Sequence, residues 1–321
     1  MPVIQTGVNQ FQGNLDHLLA EMDLLDLRLR REVQRARRRN NGGPGDDFLG
    51  LLVSDQQIDS ILTPQTGNGA LEDTDPLAPV ILQRQEELAA RRFFSMEQGV
   101  PLRWEMFRSL FHLSDWEMGV VTLCLALELD LKYETLYAYI QDDVGKKRPT
   151  VNLAMTLLAD GQADQVEQRR SLTYPAPLMK HGLISIHDDP YGKDSPLLAR
   201  YLSLNARVVE YLLGSDVVDR QLELFVRVIH PSATWDDVVL PEETRDRLQR
   251  LGEIMRGPRS QQPEMALYLS GPPGTGKRTV GQALCQSFGM NLLVVDCQGL
   301  LASDQSDSEL VKSAFREALL Q

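Results

Sequence analysis

Gly271-Pro272-Pro273-Gly274-Thr275-Gly276-Lys277 is the stretch on which the reading of this chain turns. Ahead of it, Ala266-Leu267-Tyr268-Leu269-Ser270 is short and apolar, the pattern of a buried strand. Behind it, Thr279 to Cys285 has helical spacing. A strand, a glycine-rich turn and a helix opening on lysine make a cradle for phosphate. The glycines let the backbone curl until successive N–H groups point inward, where bulkier residues would clash. The helix N-terminus adds partial positive charge, and the Lys277 ammonium reaches the terminal phosphates.

One position departs from the pattern. The residue after the lysine is usually Ser or Thr, whose hydroxyl holds Mg²⁺. Here it is Arg278, and Thr279 comes one place later. A one-residue step turns a side chain by about 100° around a helix, so Thr279 is no automatic substitute. Nucleotide binding survives the change, because backbone amides and Lys277 do most of the holding; hydrolysis is less secure. Arg278 itself has two readings, a direct phosphate contact or a place on the solvated face of the helix.

The whole chain bounds the problem. Its 321 residues suit two or three domains, and 42% hydrophobic residues suffice for real cores. A formal charge of -12 argues against general nucleic-acid binding. Cys124, Cys285 and Cys297 sit in apolar runs and are expected in cores of a reducing cytosol. His17, His112, His181, His187 and His230 have no ligand spacing. No apolar run is long enough to span a bilayer and no signal-peptide pattern opens the chain, so a cytoplasmic location without membrane contact is expected.

Upstream, four stretches are distinguished: an amphipathic, coiled-coil-like helix (1–40), a flexible linker (41–79), a helical winged-helix-like domain (80–230), and the part around the loop (231–321). In the first, Leu15, Leu18, Met22, Leu25 and Leu29 form a seam that ends in an arginine-rich run from Arg28 to Arg39. That run is either a docking arm or oligomer contact, or a solvated helix with cations near its negative end. The linker is rich in Gly and acids, with a short helix expected around Phe48 to Ile61. In the third stretch, helices are expected at Leu102–Leu113, after the capping box Ser114…Glu117, at Tyr133–Val144, and from Pro149. Extended runs at Gly182–Ile186 and Leu197–Leu204 flank a polar turn, and a short helix spans Asn205–Leu213. Helices followed by a hairpin give a winged-helix arrangement. Lys146-Lys147-Arg148 ahead of the Pro149 helix is a small basic cluster crowded by Asp142, Asp143, Asp188 and Asp189, which favours protein docking over DNA. Tyr133, Tyr137 and Tyr139 are expected as core and rim rather than as a stacking platform. In the last stretch, a helix beginning at Pro241 stops at Gly257-Pro258, Asn291–Asp296 is a second buried strand, and Asp307–Leu320 a final helix. The fold class is mainly α with an α/β part.

Trp235-Asp236-Asp237-Val238-Val239-Leu240-Pro241, the helix after it, and Leu267 through Lys277 resemble the start of an AAA+ ATPase module. Leu113 to Glu117, Glu128 to Asp130, Tyr133 to Asp143 and Arg148 to Val151 are similar to bacterial AAA+ proteins with an N-terminal variant winged-helix domain, some encoded with contractile injection systems. The resemblance implies ATP and Mg²⁺ as cofactors. Gly271, Pro272, Pro273, Gly274, Thr275, Gly276, Lys277 and Arg278 would surround the phosphates, Thr279 would offer the metal hydroxyl, and Asp237 and Val238 would lie near adenine. It also implies a protein substrate or partner subunit and a homo-oligomer.

No strand ending in Asp-Glu follows Lys277, Asp296 ends the wrong strand for that role, and the sensors, arginine finger and helical lid have no counterpart. The family sheet runs 5-1-4-3-2, so its first two strands do not touch and both would stand unpaired here. The chain is therefore expected to be the front part of a longer ATPase, with little or no turnover alone. The competing reading is a non-catalytic adaptor with a degenerate nucleotide site.

Overall fold

Helix α1 (Asn14–Asn40) turns its leucine seam inward: Leu18, Met22, Leu25 and Leu29 are buried, and only Leu15 faces solvent. The seam is thus filled by the chain's own helices. The computed structural model describes residues 9–40, 75–189, 194–255, 266–302 and 307–321. The expected linker, its short helix, the tip of the polar turn near Tyr191 and the stop at Gly257-Pro258 lie outside those residues. The chain divides into two compact units, the first running to Val217 and the second beginning at Val218.

In the first unit α1 packs on α2 (Ala78–Glu97), α3 (Arg103–Phe111), α4 (Asp115–Leu129), α5 (Lys132–Ile140) and α6 (Val151–Leu158). Helix α4 is apolar on every side, and Val120 through Ala126 are all buried, as an all-round hydrophobic helix requires. The expected capping box starts it. Glu117 N–H donates to Ser114 Oγ at 3.2 Å, and Ser114 N–H donates to Glu117 Oε2 at 2.9 Å. Tyr137 is buried with its hydroxyl donating to Leu123 O at 2.8 Å, and Tyr133 is buried with its hydroxyl on Asp26 at 2.8 Å. Both are core residues.

The hairpin is present, β1 (Ile184–His187) against β2 (Tyr201–Leu204), antiparallel, with Ile186 opposite Leu202. Leu197–Ala199, expected as extended, is instead a 3₁₀ turn leading into β2. The start of α6 joins this sheet: Leu202 N–H donates to Pro149 O at 2.8 Å and Val151 N–H to Arg200 O at 2.9 Å. Thr150 caps α6, its hydroxyl accepting from Leu153 N–H at 3.2 Å. Helices α7 (Gln162–Gln168), α8 (Pro177–Lys180) and α9 (Ala206–Leu212) complete the unit. Five of the eight residues of α6 are buried, and Lys146 and Lys147 ahead of it pair with Asp143 and Glu134 at 3.4 and 3.5 Å.

The second unit contains β3 (Val226–Ile229), α10 (Glu242–Met255), α11 (Lys277–Phe288), β4 (Leu292–Val295), α12 (Cys297–Leu301) and α13 (Asp307–Leu320). Strand β4 falls on the expected second strand, yet it is not unpaired. It lies antiparallel to β3, Val226 opposite Val295 and Ile229 opposite Leu292. No strand had been expected at 226–229. Four residues with two β-branched valines and an isoleucine supply the ladder groups that β4 needs. The apolar run Ala266–Ser270 is a second correction. It forms no strand and is not buried: Tyr268 is 89% exposed and Leu267 42%. No described strand pairs with it, and an unpaired segment gains no ladder bonds to hold it as a strand. The cysteines differ too. Cys124 is buried and Cys285 half-buried, but Cys297 is exposed at the first position of α12.

Candidate nucleotide site

Two segments far apart in sequence meet around the glycine-rich loop. The first is the entry segment Thr234–Val239. Its short 3₁₀ turn is held by a capping box in which the Asp237 carboxylate accepts from Thr234 N–H at 2.8 Å and Thr234 hydroxyl at 3.1 Å. Trp235 Nε1–H donates to Ser287 Oγ on α11 at 2.9 Å, and Arg245 on α10 donates to Val238 O at 2.8 Å. Beneath, Val238, Leu248, Val280, Ala283 and Leu284 form one apolar cluster, joined by Trp235, Leu251, Leu269 and Phe288. Packing thus fixes the entry segment along α11.

The second is the loop itself. Gly274 and Gly276 have φ of 85° and 80°, a region open to glycine and strained for other residues. Gly276 is the N-cap of α11, where no side chain occupies the free N–H groups. Lys277 Nζ lies across the mouth of the loop, donating to Gly271 O at 2.7 Å and Pro272 O at 2.8 Å. The Thr275 hydroxyl donates to Pro272 O at 3.0 Å.

Between loop and entry segment is a cavity of about 320 Å³, lined by Asp237, Val238, Val239, Gly274, Thr275, Gly276, Thr279 and Val280. Its size is in the range of small-ligand sites. Of the residues singled out from sequence, Asp237, Val238, Gly274, Thr275, Gly276 and Thr279 share this wall. Gly271, Pro272 and Pro273 form the outer, exposed arm of the loop, and Arg278 is exposed on the first turn of α11. Val239 and Val280 also line the cavity and were not singled out; the valine run after Asp237 and the apolar position after Thr279 were the available signals. Asp296 caps α12 through Gln298 and Gly299 N–H, at 3.2 and 3.1 Å.

The donor set suits a polyphosphate: free helix-terminal amides, one ammonium, and an apolar wall for a base. For Mg²⁺ it offers one hydroxyl, Thr279, beside the oxygens that the phosphates and water would bring. The Asp237 carboxylate is taken up by its capping box and the Thr275 hydroxyl by a loop carbonyl, which leaves Thr279 as one neutral oxygen. Among the described residues no cluster of three or more His, Cys, Asp or Glu could hold an ion. A nucleotide-bound Mg²⁺ takes most of its oxygens from phosphates and water and few from protein.

Comparison with known proteins identifies the families of the two parts. The family model "Winged helix domain, variant" matches residues 5–226, and the model "ATPase family associated with various cellular activities (AAA)" matches residues 267–319. Protein SAV of Sulfolobus acidocaldarius is 29% identical over 96 residues, 28% of this chain and 12% of that protein. ATPase family AAA domain-containing protein FIGL1 of Arabidopsis thaliana is 26% identical over 132 residues, 39% of this chain and 18% of that protein. The chain thus spans less than a fifth of either relative. No solved structure matches. No described helix is long and apolar enough to cross a membrane. The chain belongs to the variant winged helix domain family and carries, after that domain, a segment that matches an AAA-family ATPase domain.

Proposed function

We propose that the chain binds ATP and ADP between the loop Gly271–Lys277 and the entry segment, and that occupancy is coupled to the remodelling or assembly of a protein partner recognised by the winged-helix unit. The observation that carries the nucleotide part is the cavity that unites Asp237, Val238 and Val239 with Gly274, Thr275, Gly276 and Thr279. In this reading a terminal phosphate replaces Gly271 and Pro272 carbonyls as the acceptor for the Lys277 ammonium, a charge-assisted contact in place of two neutral ones. Gly274, Gly276 and Lys277 N–H groups face the phosphates, and Val238, Val239 and Val280 take the base. A cytoplasmic location and a homo-oligomeric assembly complete the proposal; duplex DNA is not expected to bind.

The test is equilibrium titration with ATP and ADP, beside Lys277→Ala. The native chain is expected to saturate, and the variant to lose at least tenfold in affinity, the scale of one charged phosphate contact. An unchanged affinity in Lys277→Ala would refute the site. Arg278 favours a second reading, a partner-binding adaptor whose nucleotide site serves no turnover. That reading predicts partner capture unaltered by Lys277→Ala.

A further inference from the structure

The first unit holds a cavity of about 390 Å³ that the nucleotide reading does not use. It lies among α1, α2, α3, α4 and the end of α6, and its volume is in the range of small-ligand sites. Much of its lining is apolar: Leu24 and Leu25 of α1, Leu88 of α2, Trp104 of α3, Met118 of α4 and Leu158 of α6. All of these except Leu158 are buried.

The same lining includes Arg28 of α1. Its side chain is largely withdrawn from solvent and makes no hydrogen bond or ion pair among the described residues. A guanidinium carries five N–H donors, and drawing it out of water without acceptors is costly. The other cation of the lining, Arg92, is occupied, donating to Glu105 at 3.1 Å. The acids around the cavity do not make good what Arg28 lacks. Glu21 is already bonded to His17 at 3.1 Å, and Asp115 is paired with Arg108 at 2.9 Å. Burial lowers the Arg28 pKa and the Arg31 charge one turn on lowers it further; Glu21, Asp160 and Asp115 raise it, and the lowering prevails. Arg31 is itself weakly served. Its Nε is buried without a hydrogen bond, and its ion pair is a 3.5 Å contact with Glu32, a carboxylate that Arg35 holds at 2.7 Å.

The chemistry of the lining selects a ligand class. A guanidinium matches a carboxylate through paired N–H···O bonds. The apolar residues call for a hydrocarbon body behind that head. Glu21, Glu86 and Asp115 also line the cavity, which disfavours a head carrying two negative charges. We propose that this cavity binds a small apolar monocarboxylate, its head on the Arg28 guanidinium and its hydrocarbon body against Leu24, Leu88, Trp104 and Met118. Neither the glycine-rich loop nor the entry segment takes part.

The experiment is calorimetric titration of the full chain with octanoate, 1-octanol and octyl phosphate, for the native protein, Arg28→Gln, Arg28→Lys and Ala89→Phe. Octanoate is expected to saturate a single site, to bind at least tenfold more tightly than octanol, and to bind more tightly than octyl phosphate. Arg28→Gln is expected to lose about tenfold for octanoate, the scale of one charged hydrogen-bonded contact, and to leave octanol unchanged. Arg28→Lys should keep part of the preference for octanoate. Ala89 is an exposed member of the lining, so Ala89→Phe fills cavity space without touching the core and should weaken all three probes. Thermal unfolding of each variant shows whether it folds; Arg28→Gln removes an under-compensated cation and is expected to be at least as stable as the native chain. A native chain that takes up no octanoate at millimolar concentration overturns the proposal. Octanol binding as tightly as octanoate, or Arg28→Gln binding octanoate as the native chain does, overturns the role of the guanidinium. Octyl phosphate as the tightest probe overturns the monocarboxylate class. Octanoate binding unchanged in Ala89→Phe overturns the cavity as its place, whether or not Arg28→Gln folds.

Discussion

Single side chains settle most of what this molecule can do. Lys277 braces its own loop through two carbonyls, so the phosphate cradle is held in shape by the group that would grip the ligand. Elsewhere an ion pair helps tie the end of the first unit to its core. Arg103 on α3 donates to Asp216 through Nη1 and Nη2, both at 2.8 Å. That hydrogen bond draws the Asp216 carboxyl below its ordinary range, with the nearby Arg103 and Arg207 charges acting in the same sense and slight burial opposing. A carboxyl with a depressed folded value contributes stability above its unfolded value, near pH 3.9, and the contribution disappears as pH falls through the folded value. Asp216→Asn is therefore expected to lower the unfolding temperature at pH 7 and to have no effect well below pH 3.9. Asp216 is largely exposed, so the loss at pH 7 stays under about 1 kcal/mol. Thermal unfolding of the two proteins at pH 7 and at the lowest pH where both fold checks the sign. The loop was legible residue by residue because its chemistry depends on backbone freedom and one cation, both local properties. The exposure of Cys297 was not. Apolar neighbours in sequence placed it in a core, whereas the Asp296 cap puts it at an outer helix start.

At the scale of elements, helices were legible where cap and periodicity agreed. The Ser114…Glu117 box ahead of α4 and Pro149 ahead of α6 each start an element within a residue or two of where the sequence places it. Ser114→Ala removes the acceptor for the Glu117 N–H and should destabilise the first unit by about 1 kcal/mol, with Ser114→Thr restoring most of it. Urea unfolding followed by the first unit's tryptophans, Trp104 and Trp116, against a Trp235→Phe background checks it. Strands were less legible, since a strand is decided by its neighbour. Leu267 and Tyr268 have the composition of a buried strand and lack a described partner, so they lie exposed. Val226–Ile229 has a partner in β4 and was passed over as sequence because four residues carry little periodic signal.

At the largest scale the chain joins a winged-helix domain to a segment that matches an AAA-family ATPase domain. The sequence pattern foretold a mainly α fold with an α/β part. It did not foretell that the arginine-rich helix would be spent inside the first unit, because a leucine seam looks the same whether its partner is another chain or its own. The proposed nucleotide site lies wholly within the second unit, between the entry segment, the loop and α11. Amide hydrogen exchange of the full chain with and without saturating ATP tests that claim most directly. The account predicts slowed exchange at Gly271–Val280 and Asp237–Val239, with α4 and α6 unchanged. Nucleotide binding that leaves those two segments unprotected, or that protects a different part of the chain, would contradict it.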